Sequence, residues 1–397
     1  MIQTMWPYLA VLLLAAGLFP TLERGTGWRV FEILPPIVLT YLLVTAFAVA
    51  GLWQPTDEIK ATQRALGSQL LPALLFLLMV TCDLRAILAL GPRVLAIFTC
   101  AMLSILVAIL VSYLLFRSVL PADGWKMLAA LSATWVGGSA NLLAVKQVIG
   151  LSDSSLPAVL LADALCYSLW VVVLFSTSSF APAFNRWTRA DERPQAAAEA
   201  MPEPAAVAPE PAAAAHEVAA PGTVLLWLGI ALLIALGSAR LAMLMPVTTF
   251  FTLTTWTVLA ASIAGLLIAR TRLARIPGPA PLASAMLAVL VALLASQSNF
   301  QGMAAAPVFV LCGLCVLLIH IVLLVSAARW FRFDLHLCGI ASLAQIGGVA
   351  SAPLLAATYA QALVPVAVLM AMLGLILGTG IGLFMASVLS ALAPIAS

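Results

Sequence analysis

The sequence predicts an all-α polytopic membrane protein built from two repeats. Each repeat carries a glycine-broken helix or re-entrant hairpin, for roughly ten to twelve membrane segments in all. Two observations carry this reading. Of 397 residues, 64% are hydrophobic and only 8% are charged, with a mean hydropathy of +1.15, whereas a soluble domain has roughly a quarter of its residues charged. Secondly, Gly137-Gly138, inside Thr134-Trp-Val-Gly-Gly-Ser-Ala-Asn141, is echoed 210 positions later by Gly347-Gly348, inside Ser342-Leu-Ala-Gln-Ile-Gly-Gly-Val-Ala-Ser-Ala-Pro353. Glycine pairs weaken a helix. Irregular backbone at membrane depth survives only where protein or a wet cavity surrounds it.

In chain order, no Lys or Arg precedes Arg24, so the basic start of a signal peptide is missing and residues 5–22 read as a retained first span. Apolar runs place the next spans at 31–53, 66–82, 94–116 and 156–180. In the second half they fall at 222–239, 247–269, 282–299, 304–328 and 362–390. The broken segments, 124–150 and 335–358, stand between the fourth and fifth span of each half. Three parts follow: a first membrane repeat at 1–180, an Ala/Pro/Glu-rich linker at 181–221 expected to be flexible, and a second repeat at 222–397.

If each glycine segment crosses the bilayer, the repeats are parallel; if each re-enters, they are inverted. The distribution of the 18 Lys and Arg residues scores both topologies equally by the positive-inside rule, and in both the 181–221 linker lies on the cytoplasmic side.

Gly137, Gly138, Ser139 and Asn141 offer backbone groups, a hydroxyl and an amide at the first break. Gln345, Gly347, Gly348 and Ser351, with Thr358 beyond, offer similar uncharged chemistry at the second. Half-helix N-termini attract anions and freed carbonyls attract cations. Two broken segments at matching positions in two halves point to a transporter's binding site; close helix packing at small residues is the alternative. Asp163 lies inside the span after the first break, where a charge costs on the order of 2.5–3.5 kcal/mol. It reads either as an ion-coupling residue beside Asn141 or as a hydrogen-bonded staple between helices. Lys146 sits beside a cavity or snorkels to the interface. His320 reads as a packed, satisfied histidine, and Asp83, Arg85 and Arg93 as a solvated turn.

All six cysteines fall in or beside apolar segments, and the Cys312-x-x-Cys315 pair reads as packing rather than a redox or metal pair. No HExxH, GxSxG, Walker A or paired-acid pattern occurs, so no enzyme is expected. No basic cluster interleaved with aromatics supports nucleic-acid binding.

Trp135-Val-Gly-Gly-Ser-Ala-Asn141, then Ala144-Val145, then Asp163 with Trp170 seven residues on, resembles the signature of the uncharacterised YjcL-like membrane family (domain of unknown function 819). Ile346-Gly-Gly348 with Ala350, and Leu363-Val-Pro-Val366 leading into Leu373-Gly374, resemble it too. The resemblance spans roughly 5–390 apart from the linker, and departs from it at Val349, where proline is expected directly after the glycines. That family resembles a broader group of cation/proton antiporters and bile-acid, citrate and glutamate sodium symporters. The resemblance implies inverted repeats, a mobile core carrying the broken segments, and a panel domain able to form a homodimer.

The expectation is a secondary active transporter of the bacterial inner membrane. It would move a small organic anion with Na+ or H+ by alternating access, with no cofactor beyond Na+ as a coupling ion. Gly137, Gly138, Ser139, Asn141, Gln345, Gly347, Gly348 and Ser351 would bind the substrate, and Asp163 with Asn141 would couple the ion. The alternatives are a channel or export accessory resembling murein-hydrolase regulators, and a membrane scaffold whose linker recruits a partner.

Overall fold

A computed structural model describes the chain except for residues 27, 29–30, 32–35, 89, 178–179, 191–219, 249–251, 298–305 and 394–397. Among the described residues there are sixteen α-helices and no strands, and the protein is an all-α, multi-pass membrane protein. Seven helices are long and apolar enough to cross a bilayer.

The first helices are α1 (Met5–Thr26), α2 (Pro36–Val49), α3 (Asp57–Val80), α4 (Leu84–Leu88) and α5 (Gly91–Phe116). α3 begins nine residues before the apolar run does. Thr56 caps it, its hydroxyl accepting from Ile59 N–H at 3.3 Å, and Asp57 and Glu58 complement the first turn. The first break separates α6 (Gly124–Gly137) from α7 (Ser139–Ile149), and α8 (Leu156–Ser176) follows. The start of the expected linker is instead a short helix, α9 (Ala181–Thr188), entered through Pro182 in its first turn. The expected flexibility of 191–219 lies outside the described residues.

The second half runs α10 (Pro221–Ala242), α11 (Leu253–Ala269), α12 (Pro279–Ala295), α13 (Ala306–Phe331), α14 (Leu335–Ile346), α15 (Gly348–Tyr359) and α16 (Val364–Ala391). Three expected spans are short helices: α2, α11 and α12 have 14, 17 and 17 residues, about 21–26 Å at 1.5 Å per residue. None of the four pieces at the breaks could span alone. The longest, α6, has 14 residues, about 21 Å against a hydrocarbon core of about 30 Å.

The halves at 1–180 and 222–397 are not the compact units of the fold. One unit comprises Met1–Thr81, Lys146–Leu165 and Val218–Phe309; the other comprises Cys82–Val145, Cys166–Glu217 and Val310–Ser397. Each half of the sequence therefore contributes to both.

In the first unit, Tyr8 Oη and Ser296 Oγ stand 2.5 Å apart, Gln63 Nε2 donates to Tyr8 Oη at 3.0 Å, and Trp53 Nε1 donates to Ser296 O at 3.2 Å. These bonds tie α1 and α3 to the end of α12. Gly265 lets α11 lie directly on α3, for a Cβ there would meet Met79 Cβ at 2.6 Å. Lys146 Nζ donates to Asp153 Oδ1 at 2.6 Å, and Tyr41 Oη donates to the Asp153 carbonyl at 3.2 Å.

The second unit holds both breaks. Its longest helix, α16, packs chiefly on α6 and also on α14 and α15.

Candidate functional site

The first break is a single residue. Gly138 adopts φ 86° and ψ 173°, a region essentially restricted to glycine. Its N–H donates to Thr134 O at 2.6 Å, closing the last turn of α6, and its carbonyl accepts from Asn141 N–H at 3.0 Å. In an unbroken helix Asn141 N–H would instead reach Gly137 O. The side chain replaces that lost bond: Asn141 Nδ2 donates to Gly137 O at 2.7 Å. The same amide donates to Leu375 O at 3.1 Å, and Thr379 Oγ1 donates to Asn141 Oδ1. Asn141 is 1% exposed. It joins both sides of the break to α16, so its polar atoms serve the backbone of the joint before any ligand.

Gly137 has a different task. A Cβ there would stand 2.7 Å from Gly374 O and 2.8 Å from Gly378 Cα. Gly374, Gly378 and Gly382 form a row on α16 at intervals of four. A Cβ at Gly382 would lie 2.6 Å from both Ala133 Cβ and Val145 Cγ2. The backbones of α6 and α16 thus meet through glycine. This row and Thr379 are the site residues that sequence reasoning misses, although small residues every fourth position are a readable packing signal.

The second break repeats the division of labour. Gly347 is the closely packed member, where a Cβ would meet Ser351 Oγ and stand 2.9 Å from Leu343 Cδ1 and Tyr167 Cε2; Gly348 takes the left-handed φ of 67°. Gly347 N–H finishes α14 by donating to Leu343 O at 2.8 Å. Gln345 Nε2 donates to Phe98 O at 2.8 Å. Among the described residues Gln345 Oε1 and Ser351 Oγ, both buried, find no hydrogen-bond partner. They are two of five such atoms among the described residues, and they flank the break. A buried polar group left unpaired is costly and asks for a physical cause.

Beside this break a directed chain of hydrogen bonds crosses the unit. Trp170 Nε1 donates to Ser342 Oγ at 3.0 Å, and Ser342 Oγ lies 2.8 Å from His320 Nε2. His320 Nδ1 lies 2.7 Å from Ser104 Oγ, which donates to Ala101 O at 2.7 Å. With Ser104's proton committed, a neutral imidazole bearing its hydrogen on Nδ1 satisfies every group. His320 is the packed, satisfied histidine expected.

Of the expected site residues, Gly137, Gly138, Ser139, Asn141, Gln345, Gly347, Gly348 and Ser351 all fall in the second unit. Asp163 falls in the first; it is half-buried on α8 and has an interaction partner. Lys146 is 7% exposed and held by Asp153, rather than snorkelling. Asp83 makes the expected turn, its Oδ1 accepting from Arg85 N–H at 3.0 Å and Ala86 N–H at 3.1 Å. All six cysteines are free thiols.

No curated protein matches the chain. Residues 10–392 match the model of the family described as a protein of unknown function (DUF819). That match covers nearly the whole sequence, both breaks included, so this chain is a member of the DUF819 family of membrane proteins.

Proposed function

We propose that the protein is a secondary active transporter that moves a small organic anion together with a monovalent cation by alternating access around the two breaks. The observation that carries this reading is the pair of buried, unpartnered oxygens, Gln345 Oε1 and Ser351 Oγ, on either side of Gly347-Gly348. Neutral oxygens beside a broken helix are what a desolvated hard cation takes as ligands. Neither group titrates, which favours Na+ over H+ at this break. The anion is assigned to the first break, where the N-terminus of α7 and the half-buried hydroxyl of Ser139 supply donors. Asp163 remains the candidate for ion coupling.

Inverted repeats are part of the proposal. The order α6–α7 then α8 in one half recurs as α14–α15 then α16 in the other, and each half contributes to both compact units. So is an inner-membrane location with the 181–221 linker on the cytoplasmic side, on the bias of Lys and Arg.

The test is uptake of labelled mono- and dicarboxylates into proteoliposomes under Na+ or pH gradients. Accumulation driven by Na+ in the native protein, with its Na+ dependence lost in the Gln345→Leu, Ser351→Ala variant, is the expected result. A steady conductance without accumulation would overturn the proposal in favour of a channel. Coupled uptake intact in Asp163→Asn would remove Asp163 from the mechanism.

A further inference from the structure

Two helices whose C-termini lie in the second unit, α9 and α13, end in the same unusual way. The residue past each helix is left-handed: Arg189 and Arg332 both have φ 57°. In each case the next residue closes the turn, Ala190 N–H donating to Asn185 O at 3.0 Å and Phe333 N–H to Ala328 O at 2.9 Å. Glycine fills this place without steric cost and is usual there. Among the described residues these are the two non-glycine residues with positive φ. Both are arginines, and both line one surface cavity of about 470 Å³, with Trp187, Ser326, Arg329 and Trp330.

Complementing the helix dipoles does not account for the choice. Arg186 and Arg329 already occupy the last turns of α9 and α13, where a cation has its effect. The strained arginines add charge where charge is already present. Among the described residues no acid lines the cavity. Asp334, two residues past Arg332, is 2% exposed, with its carboxylate committed to Leu337 N–H at 3.1 Å and to Asn185 Nδ2.

The walls are fixed. Asn185 Oδ1 accepts from Leu335 N–H at 3.0 Å, pinning α9 to the start of α14, and Arg93 Nη2 donates to Arg332 O at 2.9 Å. The Arg329 guanidinium lies 5.7 Å from the centre of the Trp187 ring. Trp330 is 85% exposed at the end of a 26-residue apolar helix. Exposed tryptophan beside arginine at a span end marks the depth of lipid headgroups.

We infer that this cavity binds a phosphate-bearing anion, and that its occupant in the membrane is the headgroup of an acidic phospholipid. Three guanidinium groups supply forked donors suited to phosphate oxygens, and the two tryptophans flank the glycerol and upper acyl chain. The site is separate from both breaks and does not depend on the transport reading.

Native mass spectrometry of the full-length protein in detergent tests it, with phosphatidylglycerol and phosphatidylcholine supplied at equal concentration and inorganic phosphate as competitor. The native protein should retain phosphatidylglycerol at least about tenfold better. Since each arginine at an acidic surface is worth about fivefold, the R189Q/R329Q/R332Q variant should lose at least about tenfold of that preference. The R189G/R332G variant separates binding from folding. It relieves both left-handed turns, so its melting temperature should equal or exceed the native value while lipid retention falls. Displacement by millimolar phosphate would keep the anion site and assign it to a free phosphate instead. Unchanged lipid preference in both variants without phosphate binding would overturn the inference. So would a melting temperature lowered by the glycines, since the arginines would then be structural.

Discussion

Replacing Asn141 tests whether its amide is a ligand or a brace. The side chain makes three hydrogen bonds, two of them buried: to Gly137 O, to Leu375 O and from Thr379 Oγ1. A side-chain hydrogen bond between membrane helices averages about 0.6 kcal/mol, so three contribute about 2 kcal/mol. Gly137 O is also left without the partner its helix would have supplied, and a buried unpaired carbonyl costs about 1–3 kcal/mol. Asn141→Ala should therefore lower the free energy of unfolding by about 3–5 kcal/mol, measured by denaturation with sodium dodecyl sulfate in mixed micelles. Asn141→Asp is the sharper variant. It keeps the volume and the acceptor for Thr379, but sets a carboxylate oxygen against two carbonyls that require a donor. A brace predicts that Asp is at least as damaging as Ala. Were Asn141→Asp to unfold within about 0.5 kcal/mol of the native protein, the bonding pattern described for the first break would be refuted.

The two glycines of that break should fail for different reasons. Gly137→Ala should cost about 1–3 kcal/mol by overpacking against α16. Gly138→Ala should cost a similar amount through backbone strain alone, because nothing lies within 4 Å of a Cβ there. Gly237→Ala on α10, with open space and no positive φ, should be neutral or slightly stabilising in the same denaturation assay. Ser342→Ala strands Trp170 Nε1 and His320 Nε2 and should cost about 1–3 kcal/mol, whereas Ser387→Ala on α16, whose hydroxyl donates only to Phe384 O of its own helix, should change nothing measurable. In the first unit, Asp153→Asn should destabilise more than Lys146→Met. The Lys146 side chain is 9% exposed and that of Asp153 35%, so the first change leaves a buried ammonium unpaired and the second leaves a carboxylate that water reaches. Equal losses, read from thermal unfolding of the two variants, would contradict this.

Both breaks are legible in the sequence because adjacent glycines, costly to a helix, stand out in an apolar run that is otherwise helical throughout. Their limits, 124–150 and 335–358, agree with α6–α7 and α14–α15 to within a residue. The long spans are legible from hydropathy, as 94–116 and 362–390 show against α5 and α16. Partners are less so. Asn141 announces an amide, but not that Thr379 and Leu375, more than 230 positions away, would claim it. The row Gly374, Gly378, Gly382 is in plain view, yet a hydropathy window averages it into an apolar span. α9 is hidden in a Pro-rich tract because its anchor, Asn185 on Asp334, is a tertiary contact. The two compact units, drawn from both halves, depend on long-range packing that no local pattern encodes.

The parallel between the breaks goes further than sequence. At each, the first glycine is the one a neighbour crowds and the second is the one with positive φ. These are independent demands, one on space and one on torsion, and helix weakening alone would require neither in a given order. What differs is how each joint is satisfied. The first is closed by Asn141, which leaves its carbonyls paired and its polarity spent. The second has no such brace, and Gln345 Oε1 and Ser351 Oγ stay unpaired at its sides. If the two segments descend from one ancestral unit, the asymmetry places the rigid joint at the first break and the spare oxygens at the second. A bound cation would then stabilise the second break selectively. Na+ should slow amide exchange across Gln345–Ser351 and leave Gly137–Asn141 unchanged, and equal protection of both would argue against a cation seated at the second.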